Sequence, residues 1–168
     1  IDNPLSERQV VIDCKQSLLR EISLYETAGW PFECTFCATP ILVKNSGQLR
    51  YYRPTMEKIV KSVNYAINHG ANAVHFLDDM VFVNSQHFKD FFALMKDLKM
   101  KEPFYWRGMI RASTIADNCS QDDLRILHDS GCWKLAMGVE SGNQEMLDRI
   151  RKGITKDQVR RAVVKLKE

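Results

Sequence analysis

The chain alternates short apolar runs with amphipathic stretches at a nearly regular spacing, and that rhythm predicts its architecture. Ile22-Ser23-Leu24-Tyr25 alternates like a short strand. Thr55 is placed to cap a helix from Met56 to His69, with Ile59, Val63 and Ala66 on one face and Gly70 closing it. Ala73 to Leu77 reads as a buried strand that ends in Asp78-Asp79. A second helix begins near Ser85 and repeats Phe88, Phe91, Phe92, Met95 and Leu98 at helical spacing, as a core-facing side does. Pro103 stops it. Phe104 to Ile110 is a third strand, leading to Arg111. Ser120 with Asp123 forms a capping-box pattern for a third helix, which Gly131 closes. Trp133 to Val139 is a fourth strand, followed by Glu140-Ser141-Gly142. Helices are expected from Asn143 to Ile150 and from Thr155 onward.

Strand, loop and helix in repetition predict parallel strands joined by right-handed crossovers. The fold class expected is α/β, a partial TIM-like barrel with about four to five βα units visible. Residues 1–21 are poorly periodic and read as a linker or a lead-in helix, with Leu18, Leu19 and Ile22 as its apolar side. Residues 22–168 form the core domain, incomplete at its C-terminal end. Thr27 to Gly47, rich in Gly, Pro, Asn and Cys, is a long loop of functional type.

Composition narrows the classes. The 168 residues suit one domain, and 45% apolar with 27% charged residues is ordinary for a globular protein. A net charge of +3, from 24 basic and 21 acidic side chains, gives no argument for nucleic acid or membrane as partner. No apolar run approaches the length of a bilayer span. Five cysteines at irregular spacings (Cys14, Cys34, Cys37, Cys119, Cys132) fit a reducing, cytoplasmic setting better than a disulfide framework.

Ligands bind parallel α/β sheets at the C-terminal ends of the strands. The unusual polar residues fall there: the Cys34/Cys37 loop after the first strand, Asp78-Asp79 after the second, Arg111 after the third, Glu140-Ser141 after the fourth. Each also has a plainer reading, as a chance thiol pair, a helix cap or a surface charge. Convergence on one edge is what favours a site. Cys14, Cys119 and Cys132 read as incidental or buried thiols, and the phenylalanines of the second helix as core.

Gly29 to Pro40, with Cys34-Thr35-Phe36-Cys37 at its centre, resembles the cluster loop of the radical S-adenosylmethionine (radical SAM) superfamily. Its cobalamin-binding and methylthiotransferase-like branch is the nearest. Arg50-Tyr51-Tyr52-Arg53-Pro54, Phe76-Leu77-Asp78-Asp79, Ser130-Gly131-Cys132, Gly138 to Gly142 and Lys152 to Thr155 extend the resemblance in the family's order. The family pattern Cys-x-x-x-Cys-x-x-Cys holds a [4Fe–4S] cluster, whose open iron chelates S-adenosylmethionine (SAM). An electron delivered through the cluster then cleaves the sulfonium to a 5′-deoxyadenosyl radical, or supports methyl transfer. The resemblance implies that Cys34 and Cys37 are metal ligands and that Phe36 packs near the adenine. It places Asp78 and Asp79 at the methionine amino group, and Arg111, Glu140 and Ser141 at the carboxylate or ribose. It further implies an electron donor such as flavodoxin or ferredoxin, a small-molecule or peptide substrate, and cobalamin only through a domain outside this chain.

The first cysteine of that pattern is replaced by Trp30, and indole donates a hydrogen bond but does not ligate iron. Three explanations stand: a pseudoenzyme that still binds a nucleotide or partner, an altered position in an otherwise active enzyme, or a substitute ligand such as Cys14 or Glu26. A non-catalytic SAM-binding or partner-binding module is therefore the alternative. A small zinc or thiol-redox protein built on Cys34 and Cys37 is a second, although it lacks two further ligands at suitable spacing.

Overall fold

A computed structural model describes residues 5–29, 31–45, 47, 51–52, 54–78, 85–101 and 103–168. Trp30, Arg50, Arg53, Asp79 and the Phe88 side chain lie outside the described residues. The chain opens with a hairpin. Strand β1 (Ser6–Ile12) runs antiparallel to β2 (Lys15–Leu24), in register from Ser6 with Glu21 to Ile12 with Lys15. Asp13 and Cys14 form the two-residue turn, both at positive φ, as tight hairpins require. The lead-in helix expected before residue 21 is corrected by this hairpin. The pleat separates the supposed apolar side, leaving Leu18 48% exposed and Leu19 fully buried. Valine and isoleucine at Val10, Val11, Ile12 and Ile22 favour that extended backbone.

The thiol-bearing loop holds more structure than its composition suggests. It contains the two-residue strand β3 (Ala28–Gly29), helix α1 (Thr39–Asn45) and, beyond it, strand β4 (Tyr51–Tyr52), which pairs with β3. Helix α2 (Met56–Asn68) starts as predicted, with Thr55 Oγ1 accepting from the Lys58 amide, and buries Ile59, Val63 and Ala66. Strand β5 (Ala73–Phe76), helix α3 (Ser85–Lys101) and strand β6 (Tyr105–Met109) follow. Helix α4 (Ala112–Asn118) was not foreseen. It has no side-chain cap and begins directly behind Arg111, so the signals that mark a helix start are missing from its sequence. Helix α5 (Gln121–Asp129) carries the expected Ser120–Asp123 capping box. Strand β7 (Cys132–Ala136), helix α6 (Gln144–Arg149) and helix α7 (Lys156–Lys167) complete the chain.

The main sheet has the order β1-β2-β5-β6-β7, with β2, β5, β6 and β7 parallel. This is the partial barrel the pattern predicted. Its outer face is the core. Phe76, Phe91 and Trp106 are fully buried, and their rings meet edge to face at 5.1–6.3 Å. The Trp106 indole donates to Ser130 Oγ at 3.0 Å, and that hydroxyl donates to the Leu127 carbonyl at 2.6 Å. The serine of the Ser130-Gly131-Cys132 motif therefore satisfies a polar atom inside an apolar layer. Gly131 takes φ +88° to turn the end of α5 into β7.

Candidate functional site

Strand ends bring five of the eight candidate residues to one cavity. A space of about 200 Å³ opens between the thiol loop and the ends of β6 and β7, and Cys34, Phe36, Cys37, Arg111, Glu140 and Lys152 are among the residues lining it. The loop is fixed by its own turn, Cys37 N donating to Cys34 O at 3.1 Å. It is also tied to the far end of the chain, Thr35 N donating to Ile150 O at 3.0 Å. Cys34 is buried, Cys37 half-buried, and Phe36, also lining the cavity, 56% exposed. The Cys37 thiol donates to Thr39 Oγ1 at 3.3 Å.

Arg111 is the centre of this arrangement. Its side chain is buried, its Nη2 donates to the carbonyls of Lys152 (2.6 Å) and Gly153 (3.2 Å), and the Phe32 ring lies 3.6 Å from its Cζ. Its Nε is buried with no hydrogen-bond partner. An orphaned cationic donor is costly, so its position beside a cavity points to an anionic ligand. Burial pulls the guanidinium below its ordinary value, while the Cys34 sulfur beside it acts in the opposite direction.

Glu140 sits at φ +65°, a left-handed conformation unusual outside glycine. This turns its carboxylate back over Gly138, where Oε1 accepts from Lys152 Nζ at 2.8 Å. A Cβ on Gly138 would lie 2.7 Å from that oxygen and 3.0 Å from the ammonium, so the glycine makes the room. Lys152 Nζ also stands 5.7 Å from the Phe36 ring. Lys152, absent from the sequence-derived candidates, is thus part of the site. The Lys152-Gly153-Ile154-Thr155 motif was the signal that could have pointed to it.

The remaining candidates stand elsewhere. Asp78 is fully buried and does not line this cavity. Its carboxylate accepts from the Glu26 amide, the Thr27 amide at 2.6 Å and the Thr27 hydroxyl at 2.8 Å, tying the end of β2 to the end of β5. Burial raises its carboxyl above the ordinary value, against the pull of those donors. Ser141 accepts from the Asn143 amide at 3.1 Å and shapes the entry to α6.

Two thiols on a cavity do not fit a cluster held by three. Position 30 is tryptophan, and the described residues contain no group of three or more His, Cys, Asp or Glu able to hold a metal. Cys14 does not substitute: it lies in the hairpin turn, at the opposite end of β2, roughly 30 Å away at ~3.3 Å per residue. Glu26 is buried beside Asp78, with Lys58 Nζ 3.5 Å from its Oε2, and does not join the thiols in such a group. The zinc reading fails on the same count among the described residues. Cys119 is a core thiol, pushed up to about 11 by burial.

A parallel half-barrel with a thiol loop and a charged cavity at its strand ends defines a class, and comparison names it. The chain belongs to the radical SAM superfamily, whose sequence pattern matches residues 27–168. It is 24% identical over 134 residues to an uncharacterized methyltransferase of Pyrococcus horikoshii, covering 77% of this chain and 26% of that protein. Among solved structures it resembles the cobalamin-dependent SAM radical enzyme OxsB with aqua-cobalamin and SAM bound (TM-score 0.67, 20% identity, 86% of this chain and 22% of that one). It also resembles the radical SAM methyltransferase TsrM of Kitasatospora setae with cobalamin and a [4Fe-4S] cluster bound (TM-score 0.67, 15% identity, 86% and 26%). Methylornithine synthase is a third such structure (TM-score 0.57, 18% identity, 88% and 41%). The chain spans about a quarter of the length of its curated relative. No described helix is long and apolar enough to cross a membrane.

Proposed function

We propose that this domain binds SAM in the cavity at the ends of β6 and β7. The observation that carries the reading is the buried Nε of Arg111, left without a hydrogen-bond partner in a residue that lines a cavity also holding a carboxylate and an aromatic ring. Arg111 would receive the methionine carboxylate and Glu140 the ribose hydroxyls, with Phe36 against the adenine and Ser141 supporting the Glu140 turn. Asp78 would hold the loop and leave the amino group to Asp79 or to backbone carbonyls. The sulfonium adds a positive charge, which Glu140 tolerates.

Reductive cleavage at a [4Fe–4S] cluster is the chemistry the family implies when that group is bound. Cys34 and Cys37 would supply two of its ligands, one short of the three the family uses, and the residue at position 30 would decide whether it loads. Members of the family use reductants of the flavodoxin or ferredoxin type, and cobalamin would enter through a domain outside this chain. The test is anaerobic reconstitution with iron and sulfide, followed by equilibrium dialysis with SAM. The native protein should bind SAM while retaining little iron, and Trp30→Cys should raise iron toward about four per chain. Native protein and Trp30→Cys both failing to bind SAM would refute the proposal.

A further inference from the structure

Away from the rim, the inner face of the sheet carries a charged group that the SAM cavity does not use. Strand alternation puts Val74, Phe76 and Trp106 into the helix-covered core. Glu21, Ala73, His75 and Arg107 therefore fall on the opposite face. Glu21 stands opposite Ala73 in register, and His75 opposite Arg107. The Arg107 Nε and Nη2 donate to the two Glu21 carboxylate oxygens at 2.8 and 2.7 Å, a bidentate pair spanning β5 over Ala73. The alanine methyl leaves room for that span. One edge of the guanidinium is thereby fixed, and its Nη1 has no hydrogen bond among the described residues.

The surroundings of His75 are cationic. Arg8 from β1, Arg107 from β6 and Lys134 from β7 act on its imidazole, against the one carboxylate of Glu21 from β2; Tyr105 shares the face. Glu21 is 2% exposed and already paired with Arg107, so the charges of Arg8 and Lys134 are unmatched in this group. Lys134 pairs with Arg107 just past a register shift between Trp106 and Arg107, is exposed, and acts on the His75 imidazole. A guanidinium already oriented by a buried carboxylate loses little side-chain entropy when it takes a second ligand.

We propose that Arg107, His75 and Lys134 form a binding site for one oxyanionic group, a carboxylate or a phosphate, on the concave face of the sheet. The anion site stands without the SAM cavity. Only its assignment to the molecule that SAM chemistry acts on rests on the function proposed above. Arg107 precedes Arg111 by four positions on one path to the rim, roughly 13 Å at ~3.3 Å per residue. A small molecule held here by its anion would reach from the face to the cavity.

Burial first, and then the Arg107 charge, hold His75 below its ordinary value, so it is neutral near pH 7. An anion between them reverses that balance and draws a proton onto the ring. The experiment is a histidine NMR titration of the whole protein with inorganic phosphate and with acetate, at ionic strength matched by chloride. The His75 signals are assigned from His75→Gln. At least one anion should move the His75 titration upward by about one unit. Lys134→Met, on an exposed side chain, should weaken that anion roughly three- to tenfold without lowering the unfolding temperature. A response to phosphate alone assigns a phosphoryl group, to acetate alone a carboxylate, and to both a general oxyanion site. No shift beyond the chloride control, or a shift that Lys134→Met leaves intact, would overturn the proposal. Neither readout involves SAM, so failure here is distinct from failure of the SAM cavity.

Discussion

The strand-end charges of the two halves of the rim, Asp78 and Arg111, end in opposite conditions. At the β2–β5 half, Asp78 is fully enclosed and accepts from two amides and a hydroxyl, so its charge is occupied within the chain. At the β6–β7 half, Arg111 keeps a buried donor without a partner, and Glu140 adopts a left-handed backbone to hold its carboxylate over Gly138. Charged residues at strand ends do not by themselves make a site. A satisfied charge holds the fold together, and an unsatisfied one awaits a ligand.

Asp78→Asn offers the strongest way to break that contrast. The amide keeps the shape but loses the charged acceptor for the Glu26 and Thr27 donors. A stability loss of about 2–4 kcal/mol is expected in urea unfolding, with SAM affinity unchanged in the folded protein. Arg111→Met should act in the reverse sense. Stability should change little, because relief of a buried cation with an orphaned Nε is offset by the Lys152 and Gly153 carbonyls losing their donor. SAM affinity should fall tenfold or more, about 1.4 kcal/mol. If Arg111→Met unfolds the protein and Asp78→Asn abolishes binding, the two halves have been assigned the wrong way round.

Gly138→Ala sharpens the geometry. Its methyl would meet Glu140 Oε1 at 2.7 Å and should disturb the Glu140–Lys152 pair, reducing affinity roughly three- to tenfold with little change in melting. The smallest effect concerns pH and lies away from the rim. Burial by itself would raise the Glu21 carboxyl, but the Arg107 hydrogen bonds and charge hold it below its ordinary value. A depressed folded value means that Glu21 adds stability above the ordinary glutamate range, lost as pH falls through the depressed value. The gap in urea midpoint between native protein and Glu21→Gln should therefore narrow from pH 6 to pH 3. A gap that stays constant would show that the Arg107 pair does not set this titration.

Most of the parallel framework was legible from sequence. Met56–Asn68 has a cap, an apolar stripe and a closing glycine, and Ala73–Phe76 is a short apolar run after a turn. The hairpin was missed because Leu18, Leu19 and Ile22 satisfy helical spacing as well as a pleat would, and only pairing with β1 settles the choice. Helix α4 was missed because its N-terminal position is Arg111, which offers no cap. Within the site, the thiol pair, Phe36, Arg111 and Glu140 were visible at the strand ends. Lys152 and Gly138 lay in motifs that carry the resemblance, but their roles were not legible, because they depend on the positive φ of Glu140. Asp78 was visible but its occupancy was not, since its partners lie 51 and 52 positions away.

The central claim is that the β6–β7 half of the rim recognises SAM through Arg111. Calorimetry of iron-free protein with SAM, repeated on Arg111→Met, tests it most directly. The account predicts saturable heat from the native protein and at least a tenfold weaker isotherm from the variant. Native protein that evolves no heat, or a variant that binds as tightly as the native protein, would contradict it.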